Sequence, residues 1–394
     1  MLLNDYQQSA VRTDVSSSES NFRHLVLGLF GEAGSVLSVV KKKGRDKGSS
    51  KLYFMQASEE LGDLLWYIAA SANKANIELG QIAEPLALSE HRRLKSSELH
   101  FSHLQKPRTL LPIEPSGNLE WVLIYLAEGV GRLIVAQRKY VDTANKQSLL
   151  KAFTKVLRRV VGVANRVGLS LEEVAKSNLA KTADRWPENR VKGYPRPFDS
   201  LYPVYERLPR LMEFDIKEIR SAEDHSFVLQ SSRGLNVGDR LTDNIEDPDD
   251  YRFHDVFHYA YAAVIGWSPV LRAILKTKRK SNKEIDQNQD GARAILIEEG
   301  LATLVFNHAK ESGSLFEDVE RGKLSFDLLK MVRIFVRGYE VENVPYWVWE
   351  EAILQGFAAF SYLKEHREGR VTIDYRKRRL RFGPIPNLHV EAKK

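Results

Sequence analysis

The segment SEELGDLLWYIAA, residues 58–70, determines how the N-terminal half of this chain folds. Its apolar residues recur at helical spacing, and Glu60 and Asp63 lie three positions apart, so both acids share one helical face. The earlier segment GLFGEAGSVLSVVKKK, residues 28–43, has the same period and carries Glu32 among apolar residues. We therefore predict two neighbouring antiparallel helices whose carboxylates meet at one point.

Carboxylates that converge inside a helical bundle repel one another, and a hard divalent cation between them relieves this repulsion. Mg²⁺, or Mn²⁺ in its place, suits such a site because it keeps water ligands and accepts phosphate oxygens. The alternative is a solvated acidic face, which the apolar neighbours Leu61 and Leu64 disfavour. The metal ligands that this pattern predicts are Glu32, Glu60 and Asp63.

Composition places the chain among ordinary globular proteins and excludes several classes. Hydrophobic residues make up 43% and charged residues 28% of the 394 positions, which excludes a disordered or low-complexity scaffold. The lack of cysteine excludes disulfides, thiolate nucleophiles and cysteine-bound zinc. The net charge of +7 is compatible with polyanionic ligands but does not by itself indicate nucleic acid. No unbroken apolar run or secretion signal is evident, so we predict a cytoplasmic protein without a membrane span.

We predict a mainly α protein, with an N-terminal all-α bundle and a C-terminal α+β domain that is mostly helical. The N-terminal domain, 1–190, divides into an acid-bearing half (20–85), a linker or insertion (86–118) and a second half (119–190). Prolines at 191–211 suggest a linker before the C-terminal domain, 212–394. There, MEFDIKEI and HSFVLQ alternate like strands, helices are expected at about 250–276, 289–312 and 325–365 with a break near Pro345, and VTIDY pairs with RLRFG.

The N-terminal domain carries a weak internal echo. The segment that begins at Asp63 aligns without a gap on the segment that begins at Lys155, which favours a tandem duplication over a chance likeness of two amphipathic helices. The second copy has Ala152 and Lys155 where the first has Glu60 and Asp63. We therefore hypothesise one composite site, with acids from the first copy and substrate-holding groups from the second.

These segments, together with GLSLEEVAKSNLAKTADRWPE at 168–188, resemble the MazG-like all-α nucleoside triphosphate pyrophosphohydrolases. The family pattern is a G-E-x-G-E helix, a basic loop and an E-L-G-D-x-L-W-Y helix. The resemblance covers roughly residues 20–188 in two pieces. It implies cleavage between the α and β phosphates of a nucleoside triphosphate with carboxylate-held Mg²⁺, and assembly into homodimers or homotetramers. Ser35 replaces the second glutamate of the first helix. Either Glu59, four residues before Asp63, compensates as a further metal ligand, or metal binding is weaker and the domain binds nucleotide without fast turnover.

By this resemblance, Glu32, Glu60 and Asp63 are the catalytic candidates. Asn178, Lys181 and Arg185 share one helical face and are candidates for substrate binding. The lysine run at 41–43 is a candidate for contacting pyrophosphate, although lysines also favour helix C-termini for electrostatic reasons. The predicted substrate-binding residues are Lys41, Lys43, Trp66, Asn178, Lys181 and Arg185.

A second polar group lies in the C-terminal domain, in LTDNIEDPDDYRFHDVFHYAYAAVIGW at 241–267. His254 and His258 are one helical turn apart, as in metal sites. The predicted second site, which binds a divalent metal or alternatively forms a polar core, comprises His254, Asp255, His258, Glu298 and Glu299. A basic run that includes Arg272 and Arg279 is either a polyphosphate site or a solvated loop. The whole segment looks like the C-terminal extension of longer MazG-type proteins.

The leading functional interpretation is a Mg²⁺-dependent pyrophosphohydrolase that acts in nucleotide-pool control, modified-base metabolism or phage defence. A second interpretation is a nucleotide-sensing module coupled to a C-terminal His/carboxylate metal-dependent hydrolase or nuclease. A third is a structural protein that oligomerises through helical bundles. Ser35 favours the second interpretation, whereas the retained acids favour the first.

Overall fold

Long helices dominate the computed structural model, which describes residues 1–14, 22–46, 50–112, 118–190, 193–220 and 226–386. The chain divides into two units, Met1–Trp186 and Pro187–Lys394. Helices and one five-stranded antiparallel sheet account for the regular structure, so the predicted mainly α fold is confirmed.

Two long helical hairpins form most of the first unit. Helix α2 packs along α3, α5 packs along α6, and α2 also contacts α5, while α1 and α7 both pack against α3. This arrangement repeats one hairpin, as a tandem duplication would. The helices are α1 Leu3–Arg12, α2 Phe22–Asp46, α3 Ser50–Lys74, α4 Leu79–Ala83, α5 Leu119–Thr143, α6 Lys146–Val167 and α7 Leu171–Arg185.

Local sequence fixes the turn between α6 and α7. Gly168 ends α6 in the left-handed region, with φ +80°, and a Cβ there would lie 2.0 Å from the Pro112 carbonyl oxygen. Only glycine fits both conditions. Ser170 then caps α7 by accepting a hydrogen bond from the Glu173 backbone amide. The start of α7, and therefore the position of its polar face, is set by this short segment.

Residues 86–112, part of the segment 86–118 predicted to be a linker or an insertion, pack into the first unit. Short 3₁₀ turns place Leu99, Phe101 and Leu104 in the core, with at most 3% of each exposed. The Gln105 side chain donates to Leu169 and accepts from Leu171, which ties the segment to the start of α7. These apolar residues follow no helical or strand period, so the sequence pattern does not show that they are buried. Residues 113–117 lie outside the described residues.

The second unit contains the sheet, whose strand order is β3-β2-β1-β4-β5. Strands β4 and β5 pair antiparallel, which confirms the predicted terminal hairpin. The strands are β1 Leu211–Arg220, β2 Ser226–Ser232, β3 Leu235–Asn236, β4 Glu368–Asp374 and β5 Arg379–Gly383. The helices are α8 Asp255–Ala260, α9 Pro269–Ile274, α10 Lys283–Asn288, α11 Ala292–Glu311, α12 Phe326–Phe335 and α13 Tyr346–His366.

The helix predicted at 250–276 is interrupted. A π-helical turn, Tyr261–Ile265, follows α8, and Gly266 with φ +82° reverses the chain before α9 begins. A Cβ at Gly266 would lie 2.4 Å from the Tyr375 ring, so the reversal requires glycine. The break near Pro345 is present, since α12 ends at Phe335 and α13 begins at Tyr346.

Residues 193–211, expected to be a linker, pack within the second unit. The Tyr194 hydroxyl donates to Glu351, and the fully buried Asp199 pairs with Arg210 and Arg272. Arg272 and Arg279 are themselves 1% exposed. Because buried charges must be paired, these arginines are structural ions, and the predicted cationic site for polyphosphate is wrong in their case.

Helix α2 contains one stretch, Phe22–Lys42, that is long and apolar enough to cross a membrane by length and composition alone. Glu32 and several glycines interrupt the apolar residues of this stretch. Core helices of soluble proteins meet the same criterion, and Leu25, Leu29 and Val36 of this helix are buried in the unit. The absence of a membrane span and the cytoplasmic location stay predictions.

Candidate metal centres

Three carboxylates from two helices of the first unit converge. Glu32 extends from α2, Glu60 and Asp63 extend from α3, and one oxygen of each lies within 4.8 Å of the others. Each acid is half-buried, whereas Leu29 and Leu61 beside them are fully buried and hold the two helices together. The apolar packing of α2 on α3 therefore forces the acids into proximity.

Electrostatics in this acid cluster favour a proton on Glu32. Burial, followed by the charges of Asp63 and Glu60, raises the pKa of Glu32 from its ordinary 4.5 to about 7. A hydrogen bond to Glu60 raises this pKa further, and Lys181 opposes the shift. Glu32 and Glu60 thus share a proton near neutral pH, because their negative charges repel each other. The surrounding protein neutralises this charge only in part.

Helix α7 contributes the polar groups that contact the acids. Asn178 donates to Asp63 at 2.9 Å, and Lys181 Nζ lies 2.6 Å from each Asp63 oxygen. Glu59 is outside the three-carboxylate group and instead faces Lys181 at 3.5 Å. The structure thus brings the acids of the first hairpin together with Asn178 and Lys181, while Glu59 sits on the far side of the lysine.

Two residues that the sequence analysis did not single out make this approach of α7 geometrically feasible. A Cβ at Gly62 would lie 3.0 Å from Asn178 Cβ, so the glycine lets α7 come close to α3. Tyr6 of α1 donates to the Asn178 amide oxygen, which orients the amide nitrogen toward Asp63. The sequence does contain a signal for Gly62. Glycine inside a helix lowers stability, so its presence in α3 indicates that another element packs closely there.

A cleft opens beside the cluster. It has a volume of about 380 Å³, within the range of small-ligand pockets. Aromatic, thioether and polar side chains line it, so it combines an apolar wall with a cation and a carboxylate. The lining residues are Phe54, Met55, Ser58, Glu59, Ser177, Asn178 and Lys181.

Two other predicted substrate-binding residues make contacts within the protein fold. The Trp66 indole donates to the Ala10 carbonyl oxygen at 3.0 Å and to Thr13 Oγ1 at 3.1 Å, so it anchors α1 to α3. Arg185 is 1% exposed, and its guanidinium lies 5.4 Å from the Trp186 ring centroid. Neither residue lines the cleft.

Lys41, one of the two predicted lysines, lies away from the acids. Lys41 is nine residues after Glu32 on α2, which corresponds to about 13 Å along the axis and the opposite helical face. It lines a separate groove of about 700 Å³ with residues of α5, including Glu120 and Ile124. The side chain of Lys43 lies outside the described residues.

A second group forms in the second unit from His254, His258 and Glu299, which each offer one ligand atom within 4.8 Å of the others. His254 Nε2 and His258 Nε2 lie 3.6 and 3.3 Å from Glu299 Oε2. The pKa of Glu299 is lowered because hydrogen bonds to both histidines and their charges outweigh its burial.

The other two predicted members of the second site lie next to this group. Glu298 is fully buried, accepts from the Val270 amide at 2.8 Å and lies 2.9 Å from His258 Nδ1. Asp255 accepts from Gln230 and lies 3.3 Å from His254 Nε2. The structure therefore brings three of the five residues together as convergent groups, with Glu298 behind His258 and Asp255 beside His254 Nε2.

Fold and sites together define a mainly α protein of two units, with an acid cluster in the first and a histidine–carboxylate group in the second. Residues 193–386 match the family described as "MazG C-terminal domain". The second unit thus belongs to the MazG C-terminal domain family, which confirms the resemblance predicted for it. This match leaves the first unit uncovered, and its resemblance to the MazG-like hydrolases rests on its own motifs.

One relative is the "Gene 37 protein" of Mycobacterium phage L5, which is 35% identical over 63 residues. The alignment covers 16% of this chain and 55% of that protein, so the chain spans about half the length of the relative. No solved structure matches.

Proposed function

We propose that the first unit is a Mg²⁺- or Mn²⁺-dependent pyrophosphohydrolase that converts (deoxy)nucleoside triphosphates to monophosphates and pyrophosphate. The observation that carries the proposal is the convergence of Glu32, Glu60 and Asp63 from two helices beside an open cleft. The MazG C-terminal domain in the same chain supports a role related to nucleotide pyrophosphohydrolysis. Nucleotide-pool control, modified-base metabolism and phage defence are the settings in which this reaction fits.

The donor set of the cluster fits a hard divalent cation. All three groups are carboxylates, and the proton that Glu32 shares with Glu60 marks charge that a cation would neutralise. Glu32, Glu60 and Asp63 would hold the ion. When bound, such an ion neutralises phosphate charge and makes a coordinated water more acidic.

Side chains of this chain orient the water molecule and bind the two ends of the substrate. A Glu32 oxygen that does not hold the ion can accept a hydrogen bond from a water molecule and orient it. Lys181 sits at the boundary between Asp63 and the cleft, where its ammonium group can meet a phosphate. Phe54 and Met55 give the cleft an apolar wall for a base. The cluster and the cleft thus divide the substrate into a phosphate end and a base end.

Product analysis tests this proposal. The chain is incubated with a panel of ribo- and deoxyribonucleoside triphosphates and Mg²⁺ or Mn²⁺, and the products are separated. We expect monophosphate and pyrophosphate in equal amounts from at least one substrate. Diphosphate with inorganic phosphate, or no product from any substrate despite nucleotide binding, would contradict the assigned reaction.

Nucleotide binding without any product corresponds to an alternative function, in which the first unit senses nucleotide without turnover and the second unit is the effector. The Lys181–Asp63 ion pair favours it, since this contact occupies an acid that a metal would need. Ser35 in place of a family glutamate favours it too. Nucleotide binding without hydrolysis, combined with a nucleotide-dependent activity of the second unit, would support this alternative.

A further inference from the structure

The histidine–carboxylate group of the second unit has the organisation of a prepared metal site. His254 and His258 lie at consecutive turns, and only 8% and 1% of their side chains are exposed. Each ring is held through Nδ1, His254 by the Tyr251 carbonyl oxygen at 2.8 Å and His258 by Glu298 at 2.9 Å. Both Nε2 atoms therefore point to the same place, where Glu299 meets them.

Support through Nδ1 is what metal-ligating histidines require. A carbonyl or carboxylate behind the ring fixes the tautomer and leaves Nε2 with its lone pair toward the ion. A carbonyl oxygen only accepts, so His254 Nδ1 carries a proton, and in the neutral ring Nε2 is bare. If both rings are neutral, their Nε2 lone pairs face Glu299, and a cation between them suits this arrangement. The alternative is a protonated histidine that donates through Nε2 to Glu299.

Glu298 and Tyr251 hold the two histidine rings in the orientation that points both Nε2 atoms toward Glu299. One Glu298 oxygen faces His258, and the other accepts from the Val270 amide at the start of α9, so this fully buried carboxylate cannot rotate freely. Tyr251 stacks on the His254 ring at 4.4 Å with 3° between the planes, and its hydroxyl bonds Thr303 of α11. Helices α8, α9 and α11 are thereby joined around the three convergent groups.

We propose that His254 Nε2, His258 Nε2 and the Glu299 carboxylate bind one divalent transition-metal ion, with Zn²⁺ as the leading candidate. Two imidazoles and one carboxylate favour borderline ions such as Zn²⁺, Co²⁺ or Ni²⁺ over Mg²⁺ or Ca²⁺. Three protein ligands leave a coordination position for water, as in catalytic zinc sites. The site opens on the Glu299 side, where 39% of that side chain is exposed.

The inference concerns a different unit from the proposed pyrophosphohydrolase, so each can fail alone. The full chain is stripped with a chelator, and Zn²⁺ binding is measured by competition with a chromophoric chelator. Co²⁺ replaces Zn²⁺ to give visible d–d absorption that reports nitrogen ligands. We expect one such site per chain, retained in Glu60→Gln, which alters only the first unit.

Variants on one helix supply the control. Glu299→Gln should weaken Zn²⁺ binding about 100-fold or more, and Glu298→Gln, which acts through His258, about 10-fold. Glu311→Gln, an exposed acid on the same helix, should leave binding unchanged. Thermal unfolding verifies that each variant is folded. If the stripped wild type binds neither ion, or if Glu299→Gln binds as the wild type does, the cluster is a charged histidine pair and the proposal is overturned.

Discussion

At the scale of single residues, Glu32 carries the strongest functional signature in the first unit. Its pKa is raised because it is partly buried beside Asp63 and Glu60, and a shift in this direction costs stability whenever the group must ionise. Acids whose pKa is shifted at the expense of stability are found mainly at functional sites, where the ionised form binds or reacts. The acid cluster is therefore better explained as a binding site than as part of the framework.

This cost predicts a pH dependence for the metal-free protein. Between pH 4.5 and about 7 the folded state holds more protons than the unfolded state, so stability falls as pH rises through that window. The full shift would correspond to about 3 kcal/mol, and partial exposure reduces it to about 1 kcal/mol. Glu32→Gln should flatten this slope in chemical unfolding measured with chelator.

A matched variant verifies the cause. Glu128→Gln removes an exposed acid of α5, and it should leave the slope as it is. Excess Mg²⁺ should flatten the slope of the wild type and leave that of Glu32→Gln almost unchanged. Equal slopes for the wild type and Glu32→Gln without metal would show that the Glu32 pKa is not raised.

At the scale of elements, the site depends on how close α7 comes to α3. Gly62 provides the space for α7, so the added Cβ of Gly62→Ala should push α7 away. Alanine would stabilise α3 by about 1 kcal/mol through its higher helix propensity. Overpacking against α7 would destabilise the fold by about 1–3 kcal/mol and offset this gain. Gly31→Ala is the control, because nothing lies within 4 Å of its added Cβ. We expect the unfolding free energy of Gly62→Ala to fall below that of Gly31→Ala. Equal values would mean that α7 does not pack tightly at this point.

Lys181 tests the composite site at the same scale. Lys181→Gln removes the cation that pairs with Asp63 at 2.6 Å, and we expect nucleotide affinity to drop at least about tenfold, typical for a lost charged contact. Lys176→Gln, on the same helix but 60% exposed, should bind as the wild type does. Calorimetry with a non-hydrolysable triphosphate and Mg²⁺ measures both. Unchanged affinity in Lys181→Gln would separate α7 from the binding site.

Helices α2 and α3 show which features of the site can be predicted from the sequence. Helical period and motif spacing predicted that Glu32 would meet Glu60 and Asp63, because side-chain direction on a helix follows from position alone. The same reasoning misplaced Trp66, since nothing in the period of α3 shows that its indole would bond Ala10 of α1. The burial of residues 86–112 was not predicted, because irregular segments bury apolar residues without any period. Tertiary partners, unlike local faces, are absent from a single sequence.

At the scale of the whole molecule, the first unit exposes apolar side chains in two places on its hairpins. Trp121, Ile124 and Tyr125 of α5 are 42–59% exposed, and Phe30 of α2 is 57% exposed. Apolar surface of this kind is typical of interfaces. We expect a homodimer or homotetramer of the 45.0 kDa chain in light scattering, which Trp121→Glu with Ile124→Glu should weaken. A monomer at micromolar concentration would contradict this prediction.

Assigning the activity to one unit is the most direct test of the account. Pyrophosphate release from the preferred triphosphate is measured under Mg²⁺ for the wild type, Glu60→Gln and His254→Ala. We predict that Glu60→Gln loses at least about 100-fold in rate, because a metal-holding carboxylate contributes several kcal/mol, and that His254→Ala keeps most of it. A folded Glu60→Gln protein that releases pyrophosphate at the wild-type rate would contradict the central claim that the acids of α2 and α3 hold the ion that the reaction needs.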